Sequence, residues 1–170
     1  MRKDGGRTLK RILVAGFSTR HVVLSASRAG YEVCAVDHFC DADLRKHTVC
    51  CMPFEELAEL PICIRDICGR YAIDAIIPTS GAETLENLPA PVFGTDAHTA
   101  RQFLNKGFVQ EWFSELAIPV PPLAGPGEFP AMLKPLSGSG GWRNTVVSSP
   151  SDIDAWKEAF PDEPFLLQRI

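Results

Sequence analysis

The sequence lacks the long hydrophobic runs of membrane proteins. None of its apolar stretches approaches the roughly 18 residues that a spanning helix needs. The first six residues are followed by a strand-like segment and not by a cleavable signal. We therefore expect no membrane partner and a cytoplasmic protein.

An excess of positive charge is also missing. Lysine and arginine number 17 against 21 aspartate and glutamate residues, which gives a formal net charge of -4, and the basic residues are scattered. This balance offers no long-range attraction for phosphate backbones, so we expect no nucleic-acid partner. A chain of 170 residues, 45% of them hydrophobic, can form one core, or one domain and part of another, but not a large multidomain enzyme.

The six cysteines lack the spacing of a zinc site, because no C-x-x-C pair occurs. A chain with a sizeable apolar core and no secretory signal does not need disulfides for stability. We therefore expect all six to be reduced and predict no metal site. The cysteines are Cys34, Cys40, Cys50, Cys51, Cys63 and Cys68.

Short apolar strands alternate with helical segments over the first half of the chain. This alternation predicts a doubly wound parallel sheet, in which ligands bind outside the carboxyl ends of the strands. Ser18 is a candidate helix cap, and Pro61 is expected to kink or split the second helix. The predicted strands are RILVAGF at 11–17, YEVCAVD at 31–37, a short segment at 49–52, IDAIIP at 73–78 and APVFG at 90–94.

The pattern changes after Gly94. A helical stretch is followed by a stiff segment with five prolines and two glycines between Ile118 and Pro130, which is typical of a domain crossing. The remainder is predicted to form a strand, a glycine loop, a strand, a helix and a strand. We therefore divide the chain into a domain at 9–97, a connection at 98–130 and an incomplete domain at 131–170.

A glycine-rich loop directly follows a strand that carries a lysine. Lys134 is followed by Pro135, Leu136 and then Ser137–Gly141, a loop of three glycines and two serines. Such a loop lets backbone N–H groups approach an anion, and the ammonium group can neutralise its charge, so the segment could hold phosphate. A flexible hairpin with a solvent-facing lysine explains the same residues equally well. The Walker pattern is excluded, because the lysine precedes the glycines.

Further residues, taken in order, resemble the nucleotide domain of ATP-grasp enzymes. They are Lys106 at a helix start, the Ile-Pro-Val-Pro segment 118–121, the Lys134-Pro135 pair, the glycine loop and the last strand at 166–170. Segments 16–20, 25–33 and 35–39 resemble the opening of the predicted archaeal ATP-dependent carboligases, which are ATP-grasp proteins similar to biotin carboxylase. The resemblance implies an α/β fold: a Rossmann-like pre-ATP-grasp domain with a parallel sheet, then the first α+β lobe of an ATP-grasp domain.

The resemblance also implies a site for ATP. Lys106 and Lys134 would contact its phosphates, the loop would form a flap over them, and the last strand would begin the hinge that reads adenine through its backbone. The implied loop and hinge residues are Ser137, Gly138, Ser139, Gly140, Gly141, Gln168, Arg169 and Ile170. Trp142, after the loop, would cover ATP or pack against a second lobe. The magnesium ligands of the family would lie beyond Ile170.

A substrate site is implied at the carboxyl edge of the parallel sheet, which helps to build the acceptor site in this family. Arg20 could hold a carboxylate, and the backbone at 80–81 could hold an anion. For Ser18 a helix cap is the stronger alternative, and Glu83 could equally cap a short helix. The residues assigned to the substrate are Ser18, Arg20, Ser80, Gly81 and Glu83.

The resemblance predicts the amino-terminal part of a carboxylate ligase, which would form an acyl phosphate from ATP and then accept a nucleophile. Such a part is expected to be inactive by itself, and its carboxyl-terminal strands are expected to pair in a homodimer. The alternative is a non-catalytic nucleotide- or metabolite-binding module. NAD binding is disfavoured, because Gly16-Phe17-Ser18 lacks the second and third fingerprint glycines, although Asp37 ends a strand as a ribose-binding acid would.

Overall fold

A computed structural model describes residues 3–4, 7–8, 10–138, 140–141 and 143–170 of the chain. They divide into two compact units, the first ending at Ala100 and the second beginning at Arg101. No helix in these ranges is both long and apolar enough to cross a membrane.

The first unit is an α/β structure around a parallel sheet with the strand order β5-β4-β3-β6. In the register, Val14 of β3 lies between Ala35 of β4 and Ile77 of β6. A separate antiparallel pair is formed by β1 and β2. The elements are β1 (Lys3–Asp4), β2 (Arg7–Thr8), β3 (Arg11–Gly16), α1 (Arg20–Arg28), β4 (Glu32–Asp37), α2 (Ala42–Arg45), β5 (Cys50–Met52), α3 (Leu60–Arg70) and β6 (Ala75–Pro78).

Both faces of the parallel sheet are buried, which explains why its strands are almost continuously apolar. Successive side chains of a strand point to opposite faces, so Leu13 and Val14 belong to different clusters. Leu13 packs in the cluster that contains Ile64 and Ile67 of α3. Val14 packs with Val23 of α1 in the other cluster. The predicted Rossmann-like sheet is thus confirmed.

Prolines alter two predicted elements. The strand expected at 90–94 is reduced to a single bridge between Ile76 and Val92, because Pro91 can accept a hydrogen bond but has no N–H to donate. The long helix expected after Pro53 is split. A 3-10 turn at Leu57–Glu59 precedes α3, and Pro61 lies in the first turn of α3, where its missing N–H would have no intrahelical partner.

The expectation that all six cysteines are reduced is wrong for one pair. A disulfide joins Cys40 and Cys51, whose Cα atoms are 6.1 Å apart. The parallel pairing of β4 with β5 brings Cys51 beside Ala35, close to the turn that carries Cys40. The disulfide is therefore a consequence of sheet pairing. Cys34, Cys50, Cys63 and Cys68 are free thiols.

The second unit is built on an antiparallel sheet with the order β8-β7-β9. Its core contains Ala131, Leu133, Val147 and Trp156. The single helical stretch predicted after Gly94 is two helices, divided at Asn105, whose side chain caps the second helix by accepting from the Phe108 amide. Helix α4 (Ala97–Leu104) begins in the first unit and ends in the second. The remaining elements are α5 (Lys106–Glu115), β7 (Ala131–Pro135), β8 (Thr145–Val147), α6 (Pro150–Ala159) and β9 (Phe165–Arg169).

Candidate functional site

The face of the second sheet opposite its core carries a lysine and a glutamine. Residues 131, 133 and 135 of β7 are buried, while Met132 and Lys134, on the other face, are half-buried. The β7–β9 register pairs Met132 with Gln168 and Lys134 with Leu166, so Gln168 is a diagonal neighbour of Lys134. The ammonium group of Lys134 donates a 2.6 Å hydrogen bond to Oε1 of Gln168.

Gln168 is held in turn by a second amide. Its Nε2 atom donates to Oε1 of Gln110 over 2.9 Å, and Nε2 of Gln110 donates to the Pro121 carbonyl over 2.9 Å. Gln110 and Gln168 are each only 8% exposed. Lys134 is therefore held by a buried chain of uncharged groups and does not point freely into solvent.

Lys106 begins α5 and lies against the glycine loop. Its ammonium group donates to the carbonyl oxygens of Ser137, over 3.2 Å, and Gly138, over 2.7 Å. Partial burial and then the positive charge of Lys134 lower the pKa of Lys106, while Glu163 acts in the opposite direction. The two predicted phosphate-binding lysines therefore share one electrostatic site.

The loop itself depends on glycine. Gly138, Gly140 and Gly141 have φ angles of 92°, 72° and 74°, in the left-handed region that other residues adopt at a cost. A Cβ atom on Gly138 would meet nothing within 4 Å, so the backbone conformation, and not space, requires glycine there. Ser139 and Trp142, both singled out in the sequence, lie outside the described residues.

The far end of the loop is fixed by Arg143. Its guanidinium group forms an ion pair with Glu163 and lies 4.8 Å from the ring centroid of Phe160. Its carbonyl accepts a 3.2 Å hydrogen bond from the indole N–H of Trp156. The loop is therefore attached at one end to α5, through Lys106, and at the other to α6 and the segment after it.

The predicted hinge residues have different surroundings. Arg169 pairs with Glu128 over 2.7 Å, and its amide donates to the Pro122 carbonyl. Ile170 is 71% exposed. Of these three residues, Gln168 directs its side chain toward the lysines, whereas the sequence predicted a role for its backbone.

Gln110 was not predicted as a site residue, because a glutamine in an amphipathic helix carries no signal that it will be buried.

The carboxyl edge of the parallel sheet in the first unit places Arg20 among acids. Its guanidinium group lies 3.1 Å from Asp43 and 3.7 Å from Asp41, and the bond with Asp43 raises the pKa of Arg20. A substrate carboxylate would have to share this cation with both acids. Ser18 is half-buried, and Thr19 occupies the N-cap position of α1 in its place.

In the segment after β6, one backbone group bonds the loop after β3 and another bonds a nearby side chain. The Ser80 carbonyl accepts from the Phe17 amide over 2.7 Å, and the Gly81 amide donates to the Glu83 carboxylate over 2.6 Å. Glu83 also lines an open cavity of about 350 Å³ beside the end of β6, together with Pro78, Leu85, Asn87, Val92 and Thr95. This cavity could not be predicted from the sequence, because its wall includes the turns between 84 and 96.

Asp37 performs a structural task at the same edge. Its carboxylate accepts hydrogen bonds from the Thr19 amide and hydroxyl and from the amides of Phe39 and Cys40, and the residue is only 2% exposed. These four donors use the lone pairs of the Asp37 carboxylate, so none is left to accept from the hydroxyl groups of a ribose. Asp37 therefore fastens the two loops after β3 and β4.

Among the described ranges, no group of three or more His, Cys, Asp or Glu side chains is arranged to hold a metal ion. The two ammonium groups beside the glycine loop match the chemistry of a polyanionic ligand such as a phosphate chain.

Comparison with known proteins identifies the fold. No protein-family model and no curated protein sequence matches the chain. Among solved structures, the chain is similar to Rhizobium etli pyruvate carboxylase, with 20% identity and a TM-score of 0.69 over 96% of this chain and 18% of that one. The biotin carboxylase domain of Hydrogenobacter thermophilus 2-oxoglutarate carboxylase, described with MgADP and bicarbonate, has 16% identity and a TM-score of 0.68 over 96% of this chain and 45% of that one.

A third similar structure is the phosphoribosylamine–glycine ligase of Thermotoga maritima, with 14% identity and a TM-score of 0.63 over 94% of this chain and 44% of that one. The chain thus spans less than half the length of each of these proteins. The similarity is one of fold: a Rossmann-like unit with a parallel sheet is followed by an α+β unit with an antiparallel sheet, as the sequence predicted.

Proposed function

We propose that the chain is the amino-terminal part of an ATP-grasp ligase that activates a carboxylate as an acyl phosphate, which a nucleophile then attacks. The observation that carries this proposal is the pair of lysines beside the glycine loop. Both ammonium groups donate to uncharged oxygens, of Ser137 and Gly138 for Lys106 and of Gln168 for Lys134. Two cations that have no carboxylate partner among the described residues favour a polyanionic ligand.

In this proposal Lys106 and Lys134 bind the ATP phosphates and offset the charge that develops on them. The loop Ser137–Gly141 covers the phosphates and excludes water, and residues Gln168–Ile170 begin the segment that contacts adenine. A compact ammonium group suits this task, because it can approach several phosphate oxygens without a fixed geometry. Mg²⁺, when bound, would neutralise part of the triphosphate charge. We propose that its ligands lie beyond Ile170 and that the chain does not catalyse by itself.

The carboxylate substrate is assigned to the first unit, where Ser18, Arg20, Ser80, Gly81 and Glu83 follow β3 and β6. The cavity that Glu83 lines supports this assignment. We propose 9–97 as the Rossmann-like pre-ATP-grasp domain, 98–130 as the helical and proline-rich connection, and 131–170 as the incomplete first lobe of the ATP-grasp domain. A homodimer through the carboxyl-terminal strands is also proposed, and light scattering that finds only a monomer would contradict it.

Isothermal titration calorimetry with ATP, ADP and NAD tests the function. The comparison includes the chain, a version extended past Ile170, and the variant Lys134→Ala in each. Lys46→Ala, an exposed lysine of the first unit, is the matched control. The proposal expects ATP or ADP binding that requires Lys134 but not Lys46, and carboxylate-dependent ATP consumption by the extended version.

Binding of NAD without ATP would overturn the proposal. ATP binding without turnover by the extended version, over a range of carboxylates, would favour the non-catalytic binding module instead.

A further inference from the structure

The hydrogen-bond chain that ends at Lys134 can run in only one direction. A lysine ammonium group only donates, and the Pro121 carbonyl only accepts. Oε1 of Gln168 must therefore face Lys134, which turns its Nε2 toward Gln110. Oε1 of Gln110 accepts that bond, which leaves its Nε2 for Pro121. Both amide orientations are thus determined by the chemistry of the two ends.

The chain is buried as well as ordered. Gln110 and Gln168 are 8% exposed, and a buried amide that loses its partners pays the desolvation cost of each unpaired group. Competition from water is therefore small, and the position of the Lys134 ammonium group is tied to three separate segments. These are β9 through Gln168, α5 through Gln110 and the proline-rich connection through Pro121.

The chain also leaves the charge of Lys134 intact. Neither Lys106 nor Lys134 forms an ion pair with a carboxylate in the part of the chain that the structure describes. Glu163, the acid that acts on Lys106, is paired with Arg143. A glutamate of the same shape at position 168 would hold Lys134 equally well, but it would neutralise the ammonium group. It would also face the oxygen of Gln110 without a proton to donate.

We propose that Gln168, supported by Gln110, is a positioning residue that fixes the Lys134 ammonium group for an anionic ligand without neutralising it. The inference rests on the proposed function for the identity of that ligand, a polyphosphate chain. The ammonium group of Lys134 is thus held by the buried amide chain, whereas that of Lys106 is held by the carbonyl oxygens of the glycine loop.

Calorimetry with inorganic triphosphate and with ATP tests this role in the full chain. Gln168→Glu keeps the size of the side chain but adds a negative charge. We expect it to weaken triphosphate binding about tenfold or more, because the new carboxylate neutralises the Lys134 ammonium group and repels the anionic ligand. Gln168→Met removes the hydrogen bond without adding charge, and we expect a severalfold loss. Gln102→Glu, an exposed position on α4, makes the same charge change as a control and should alter binding less than about twofold.

A double-mutant cycle separates positioning from general structural damage. In the Lys134→Met background, Gln168→Met should cause no further loss of triphosphate affinity, because its effect passes through Lys134. An equal loss in both backgrounds would overturn the proposal. An affinity of Gln168→Glu equal to that of Gln102→Glu would also overturn it.

Melting temperatures test the chain without any ligand. The decreases in Tm caused by Lys134→Met and Gln168→Met should be less than additive in the double variant, and fully additive decreases would overturn the positioning role. A wild-type chain that binds neither triphosphate nor ATP would overturn the proposed function, while the Tm cycle would still decide whether Gln168 holds Lys134.

If Gln168→Glu does not fold, Gln110→Met removes the support without adding charge. A severalfold weaker triphosphate affinity is then expected, and unchanged affinity would overturn the proposal.

Discussion

The ammonium group of Lys106 donates a 2.7 Å hydrogen bond to the carbonyl oxygen of Gly138. A residue at the start of a helix thereby holds the beginning of a glycine loop that lies 32 positions later in the chain. The same ammonium group is one of the two cations of the proposed phosphate site, so the loop and the ligand share a donor.

Lys106→Met should release this end of the loop. Because the ammonium group bonds two loop carbonyls, its removal is expected to speed hydrogen exchange at the adjoining Leu136 amide, which donates to the Pro164 carbonyl. Exchange measured by mass spectrometry checks this, with Lys157→Met, an exposed lysine of α6, as the control. Equal exchange in both variants would show that Lys106 does not hold the loop.

Gly138→Ala should destabilise the second unit by about 1 kcal/mol, because the alanine would have to adopt the left-handed φ of 92°. Gly69→Ala is the matched comparison. Gly69 lies within α3, a Cβ atom there meets nothing within 4 Å, and alanine favours a helix by about 0.5–1 kcal/mol. Urea unfolding should therefore show changes of opposite sign, and a stabilising Gly138→Ala would contradict the assigned loop conformation.

Asp37→Asn should destabilise the first unit by about 2 kcal/mol or more, because the amide NH2 group would face the two donors of Thr19 or the amides of Phe39 and Cys40 and could accept from neither. Asp66→Asn removes only the exposed pair with Arg70 on α3 and should cost less than about 1 kcal/mol. Urea unfolding measures both free energies. Similar costs for the two variants would argue against Asp37 as the fastener of the two loops.

Cys34 makes the stability of the first unit fall at alkaline pH. Burial, and to a smaller extent Cys50, raises the pKa of the Cys34 thiol from 9.0 to about 12. Between these values the unfolded chain releases the thiol proton while the folded chain keeps it. The contribution of Cys34 to the free energy of unfolding is therefore complete below pH 9.0 and declines as the pH rises toward about 12.

Urea unfolding of wild type and Cys34→Ala across this range isolates the effect, since other groups titrate equally in both proteins. The slope with pH should be shallower for Cys34→Ala, by at most about 1.4 kcal/mol per pH unit. Parallel slopes would mean that the thiol titrates alike in both states.

Much of the fold could be predicted because it depends on local patterns. The apolar strand at 11–16 and the alternation of strands and helices both follow from residues close together in sequence. The strand at 90–94 and the reduced state of Cys40 and Cys51 were predicted wrongly. The strand is reduced to a bridge because Pro91 has no N–H to donate to a neighbouring strand. The disulfide forms because the pairing of β4 with β5 brings Cys51 close to Cys40.

The candidate site divides in the same way. Lys106, Lys134 and the glycine loop could be singled out from the order of residue types along the chain. Gln110 and Gln168, which are 58 residues apart, could not be joined to them, because their contact requires the register of β7 on β9 and the placement of α5 over that face.

The sequence by itself thus determined the elements, the cations and the loop, since hydrophobic periodicity and backbone preference act over a few residues. Only the tertiary structure decided the partners of each cation and the surroundings of Arg20 and Asp37. Hydrogen bonds and ion pairs act over about 3–4 Å, and only folding brings distant segments that close.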